Sequence, residues 1–247
     1  MNGADLSIVF PAFIAGLLVL ATHIPFGMKV LERGVIFADL AVAQIAGLGI
    51  ILTGLLDLTE QPFVVQLIAA ASALCGAVLL AWIEQRLPEV KEACIGLTFV
   101  LAASGGILLM SHDVHSGEHL TDLLVGQILW VNNNQLIATA LLTAVLLTLW
   151  QWSKLKNHTL GFYTLFALAV TASVQLVGVY LVFASLIVPA LATYRIQQRR
   201  MVVAFAIGIT GYAIGLLLSA WFDLPSGATI VWALAICGAG VMLWKRL

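Results

Sequence analysis

The sequence predicts an all-α, polytopic transmembrane helical bundle, and three observations carry that prediction. Hydrophobic residues make up 62% of the chain and charged residues 9%, against about 25% charged in an ordinary soluble domain. Apolar runs of bilayer-spanning length recur from one end to the other. The polar breaks between them alternate in charge, basic then acidic. With a mean hydropathy of +1.08, the 247 residues hold about nine spans of about 20 residues, and leave no room for a separate soluble domain. The whole chain, 1–247, reads as a single transmembrane domain.

The apolar runs lie at 7–26, 35–56, 63–83, 93–111, 135–152, 162–193, 201–222 and 227–244. The opening residues MNGADLSIVF lack a basic leader, so the first run is expected to stay in the mature protein as a span. All 11 Lys and Arg fall in five clusters: Lys29/Arg33, Arg86/Lys91, Lys154/Lys156, Arg195/Arg199/Arg200 and Lys245/Arg246. The alternate breaks carry Asp5, Asp57, Glu60, Asp113, Glu118, Asp122 and Asp223 without a basic residue. Positive-inside bias therefore places the basic clusters and the C-terminus in the cytoplasm, and the N-terminus outside.

The run 162–193 needs separate treatment, because 32 residues without a charged break exceed one span. A single crossing would put the cluster RIQQRR, 195–200, on the wrong side. The run must go out and return, turning near Gln175–Val179. Each arm is then about 16 residues, or about 24 Å, short for a hydrocarbon core of about 30 Å. Short, broken helices of this kind are tolerated where protein or a cavity surrounds them. The count becomes eight to nine crossings. The segment 123–134, LLVGQILWVNNN, reads as an interfacial or re-entrant piece, since a further span would break the charge alternation.

Several function classes are excluded by what is missing. No Gly-Lys pair exists, so the chain has no P-loop of its own. G-x-S-x-G and H-E-x-x-H are also absent, and no catalytic set assembles from the intramembrane polar residues. There is no basic stripe for nucleic acid. Cys75, Cys94 and Cys237 sit in apolar runs without C-x-x-C spacing and read as small core residues.

Asp39, in RGVIFADLAVAQIAG, is the one charged residue set clearly inside a span. A carboxylate there is costly unless it is paired or functional. It lies one turn past Val35, so pairing with Arg33 or Lys29 competes with a role as an ion ligand facing the bundle interior. Gln44 is about 140° around the helix from it and reads equally as an interhelical hydrogen-bonding group or a substrate contact. His112, His115 and His119 stand in an acidic outer loop with Asp113, Glu118 and Asp122. Neutral imidazole suits zinc and other first-row metals, but the spacing matches no fixed zinc motif and a plain polar loop fits as well. His23 and His158 read as structural. In VPALATYRIQQRR, Pro189 can begin a short helix, followed by a basic turn that a cytoplasmic partner could dock against; an ordinary positive-inside loop is the alternative. Gly211 and Gly215 form a G-x-x-x-G pair, which more often means close helix packing than function.

Taken in order, five stretches resemble the membrane permease of the zinc, manganese and iron ABC importers, the ABC-3 family. They are RGVIFADLAVAQIAG from Arg33; EACIGLTFVLAASGGILLMS, 92–111; LTDLLVGQILWV, 120–131; VQLVGVYLVFASLIVPALA, 174–192; and DLPSGATIV, 223–231. The resemblance implies a type II importer-like permease that is not itself an enzyme. ATP would be hydrolysed by a separate cytoplasmic ATP-binding cassette subunit. An extracytoplasmic metal-binding protein would deliver the cargo, a second copy of the permease would complete a homodimer, and the site of action would be the bacterial inner membrane. It further implies a coupling helix after Pro189, with Pro189, Ala190, Thr193, Tyr194 and Arg195 docking to the ATPase. No bound cofactor is implied; the divalent metal is the substrate.

One departure bears on the cargo. The family's early helix usually reads Asp-x-x-x-His, yet the position four residues after Asp39 is Ala43, with Gln44 beside it. An amide is a poorer transition-metal ligand than imidazole. The expected metal ligands are thus Asp39, Gln44, His112, His115 and His119, with zinc first because of the histidines and manganese or iron open. Two alternatives compete: an ABC permease for a chelated or organic nutrient, and a stand-alone carrier or channel using Asp39.

Overall fold

A computed structural model describes residues 3–56, 58, 61–110, 128–152 and 158–244. Nine α-helices occupy these residues. They are α1 (Gly3–Arg33), α2 (Ala38–Leu55), α3 (Pro62–Arg86), α4 (Lys91–Met110), α5 (Asn133–Trp152), α6 (Thr159–Val177), α7 (Val179–Ala192), α8 (Arg200–Phe222) and α9 (Ser226–Trp244). Of the expected interfacial piece, residues 128–134 are described: a 3₁₀ turn, Ile128–Trp130, two linking residues and the start of α5 at Asn133. Seven of the helices are long and apolar enough to cross a bilayer, and α2 and α7 are shorter.

The long run 162–193 breaks where the charge alternation required it. Gly178 separates α6 from α7 with φ 79° and ψ 162°, a combination that only glycine adopts without strain. The arms are unequal, however: α6 begins at Thr159, and α7 has 14 residues, or about 21 Å. Pro189 does not begin a helix. It lies in the last turn of α7, which ends at Ala192. The Thr193 hydroxyl donates to the Pro189 carbonyl at 2.7 Å, satisfying an acceptor that the helix end leaves open.

The helices form two compact units, each assembled from separate parts of the chain. One comprises 1–33, 124–145 and 173–247; the other comprises 34–123 and 146–172. In the first unit α1 packs against α7 and α8, and α9 packs against α7 and α8. Gly16, Leu20 and Gly27 share one face of α1. Gly16 meets the Tyr212 ring of α8, Leu20 covers Gly208 of α8, and Gly27 abuts the Leu186 carbonyl of α7. His23 falls on this same face by helical spacing and is fully buried. The G-x-x-x-G pair is a packing device: a Cβ on Gly215 would stand 2.5 Å from Ile230 Cα on α9, and one on Gly211 would stand 2.5 Å from Leu234 Cδ2. Without a hydrophobic drive between helices in lipid, such close approach supplies the association energy.

In the second unit α2 packs on both α3 and α4. The outward face of α4 is as apolar as its packed face. On α4 the buried residues are Ile95, Ala102, Gly106 and Met110. The large side chains Leu97, Val100, Leu101 and Leu108 point outward, as expected where the solvent is hydrocarbon.

Candidate functional site: a buried carboxylate at the start of α2

The turn from α1 to α2 sets the site. Gly34 takes φ 65°, the Ala38 amide bonds the Val35 carbonyl at 3.1 Å, and α2 starts at Ala38, three residues later than the apolar run begins. Asp39 thus stands in the first turn of α2, where the helix dipole favours a carboxylate. It is only 1% exposed, and neither carboxylate oxygen has a hydrogen-bond partner, although the amides of Asp39 itself and Leu40 lie alongside. Lys29 bonds Glu32 at 3.1 Å, and among the described residues no side chain bonds an Asp39 oxygen. Nor does the side chain reach the surface.

A second acid meets the same turn. Phe37, the residue before α2, has no side-chain cap of its own. Its amide donates instead to Oε1 of Glu92 at 3.1 Å, across 55 residues of chain. Glu92 opens α4, its Oε2 is buried without a partner, and its charge is close enough to act on Asp39. Sequence reasoning passed over Glu92 because it sits beside Lys91 in a basic boundary cluster, where a charge needs no explanation. The signal available was its place at the head of EACIG, one of the five stretches carrying the family resemblance.

The other expected ligands are placed differently. Ala43, one turn beyond Asp39, is buried at 4% exposure, so a methyl group occupies the place of the family's imidazole. Gln44 is half-buried on α2. His112, His115 and His119 lie outside the described residues. Among the described residues no three His, Cys, Asp or Glu side chains converge.

His23, expected to be structural, lies inside α1, which runs on to Arg33, and is fully buried. Its Nδ1 lies 2.9 Å from the Val19 carbonyl and 3.0 Å from Thr22 Oγ1, while Nε2 is buried without a partner. Elsewhere in the first unit, Ser185 and Tyr212 form a buried hydroxyl pair at 2.8 Å. In the segment expected to couple to a partner, Pro189, Ala190 and Thr193 are buried. Tyr194, 64% exposed, and Arg195 are accessible.

Residues 5–244 match the sequence pattern of ABC-3, the ABC 3 transport family. The chain belongs to the ABC 3 transport family. Among curated relatives, a probable iron transport system membrane protein of Haemophilus influenzae is 28% identical over 164 residues, covering 57% of this chain and 60% of that protein. The high-affinity zinc uptake system membrane protein ZnuB of Buchnera aphidicola is 22% identical over 247 residues, covering 91% of this chain and 92% of that protein. Among solved structures, PsaBC from Streptococcus pneumoniae in complex with Fab superposes with a TM-score of 0.73 at 21% identity, covering 100% of this chain and 92% of that one. The polytopic all-α fold and the family membership agree with one another. They also account for the missing P-loop, since the family's permeases are not themselves the ATP-hydrolysing subunits.

Proposed function

We propose that this chain is the membrane-spanning permease subunit of an ATP-driven importer for a divalent first-row transition metal, with zinc the first candidate and manganese and iron the others. The observation that carries the reading is Asp39: a carboxylate 1% exposed, with neither oxygen bonded, in a chain of a transport family. A buried acid in a membrane helix costs about 2.5–3.5 kcal/mol at the span centre, less near an end; the helix N-terminus and the amides of Asp39 and Leu40 ease it only in part, and no side chain among the described residues brings a counter-charge. A passing cation does. Zinc leads because of His112, His115 and His119, which in this reading collect metal at the outer mouth.

The chain works with a separate cytoplasmic ATP-binding cassette subunit, an extracytoplasmic metal-binding protein and a second copy of itself, in a bacterial inner membrane. The five basic clusters face the cytoplasm, the N-terminus lies outside and the C-terminus inside. The docking surface for the ATPase narrows to the exposed side chains Tyr194 and Arg195. Pro189, Ala190 and Thr193, all buried, hold the turn that presents them. ATP binding by the partner shifts the permease between outward- and inward-open states, and Asp39 lines the path. Cellular zinc, manganese and iron, measured with and without the gene under limitation of each metal, test the reading. Loss of one metal on deletion is expected, and unchanged contents of all three would overturn it.

A further inference from the structure

In the first unit, α8 and α9 leave a groove of about 430 Å³ between them, lined by Val203, Ala206, Ile207 and Thr210 of α8 and by Cys237 and Gly240 of α9. Sites for small molecules run from about 300 to 1,000 Å³. The groove opens outward, since Ala206, Thr210 and Gly240 are exposed. Gly240 keeps part of it empty: a Cβ there would meet nothing within 4 Å. The Thr210 hydroxyl is taken up by the Ala206 and Ile207 carbonyls of its own helix, at 2.7 and 3.1 Å. It has no donor left for an occupant, so the groove suits a flexible hydrocarbon chain.

The same side of α8 ends in positive charge. Arg200 stands one turn before Val203 and, by helical spacing, on the stripe that carries Ile207 and Thr210. Its Nε and Nη2 are buried and bond nothing among the described residues. Arg199 beside it is exposed with φ 56°. Helix α8 starts there with no side-chain cap and no acid in its first turn. Two guanidinium groups at the positive end of a helix dipole oppose the dipole and each other. A phosphate relieves both, and arginine binds it through paired N–H donors. A second copy of this chain fits less well. A two-fold interface joins the same patch to itself, which would bring both Arg199–Arg200 pairs to one membrane level.

We propose that this groove holds an acyl chain of an anionic phospholipid, with the lipid phosphate on Arg199 and Arg200. A hydrocarbon chain and a phosphate carried by one molecule describe a membrane lipid. Basic pockets between transmembrane helices hold such headgroups at the membrane surface. The site requires only that α8 and α9 cross a bilayer, and both are long and apolar enough to do so. It depends neither on the cargo nor on which leaflet the arginines face.

The test is native mass spectrometry of the purified full-length chain, delipidated in mild detergent and titrated with dioleoylphosphatidylglycerol or dioleoylphosphatidylcholine. The wild type should bind one phosphatidylglycerol per chain about fivefold or more tightly than phosphatidylcholine, the worth of one or more arginines at a membrane surface. Arg199→Gln combined with Arg200→Gln should erase that preference. Gly240→Leu fills the groove and should weaken both lipids about tenfold or more, the worth of two displaced methylene groups. Arg86→Gln, on an exposed side chain of the second unit, should bind as wild type does. Equal affinity of the wild type for the two lipids, or wild-type preference in the double arginine variant, would overturn the proposal. So would displacement of the lipid by inorganic phosphate, or a chain that binds no lipid and turns from dimer to monomer on Gly240→Leu. A readout that needs no variant is phosphatidylglycerol with a diazirine in its acyl chain, photolysed on the native chain. Crosslinks should concentrate in 203–210 and 237–241, and labelling spread evenly over the other helices would overturn the site.

Discussion

Replacing Gly215 with alanine pushes a methyl group into the backbone of α9. The new Cβ would stand 2.5 Å from Ile230 Cα and 2.9 Å from the Ile230 amide nitrogen. Carbon atoms in contact settle at about 3.5–4.0 Å, so α8 and α9 would have to part by about 1 Å. Rotation of the Ile230 side chain cannot absorb that, because two of the three obstructing atoms, Cα and the amide nitrogen, are main chain. Overpacking of this kind costs about 1–3 kcal/mol, set against a gain of about 1 kcal/mol in helix propensity on replacing glycine by alanine. Gly240, on α9, is the matched control, because a Cβ there meets nothing within 4 Å. Gly240→Ala gains the propensity without the clash. The two variants should therefore differ by about 1–3 kcal/mol, Gly215→Ala being the weaker, in equilibrium unfolding of the purified protein in mixed micelles. Equal stability would refute the close packing of α8 on α9.

Other outcomes follow from single contacts. Tyr212→Phe removes the 2.8 Å bond to Ser185, but Ser185 keeps its 2.7 Å bond to the Leu181 carbonyl. The loss should stay near about 0.6 kcal/mol and below about 1.7 kcal/mol, measured by the same unfolding; a larger cost would mean the hydroxyls hold more than each other. Gly178→Ala should destabilise by about 1–3 kcal/mol, because φ 79° with ψ 162° excludes a side chain; wild-type stability would mean α6 and α7 can join without the break. Replacing His112, His115 and His119 together by alanine should reduce uptake at limiting metal and leave it unchanged at saturating metal, and unchanged uptake at both would remove them from metal capture.

Charge order and run length carried most of the fold. The basic clusters alone required a break near Gln175–Val179, and Gly178 supplies it with a conformation only glycine takes easily. Helix ends were less legible. The first apolar run stops near residue 26, yet α1 continues to Arg33, since backbone hydrogen bonding does not end where hydropathy does. Pro189 illustrates the same limit: proline fits a first helical turn, but the Thr193 hydroxyl closes α7 behind it. At the site, Asp39 was legible because a carboxylate in an apolar run has no cheap explanation. Glu92 was not, because the fact that matters is its position over the Phe37 amide, 55 residues away in sequence. The full burial of His23 was not legible either, because it comes from how α1 packs in the first unit and no local pattern around residue 23 reveals that.

The most direct measurement of the central claim is metal accumulation in proteoliposomes holding this chain together with its ATP-binding cassette partner. ATP should drive uptake of a divalent transition metal, and Asp39→Asn, folded and assembled as the wild type is, should abolish that uptake. Uptake by the chain without the ATPase, or wild-type transport by Asp39→Asn, would contradict the account.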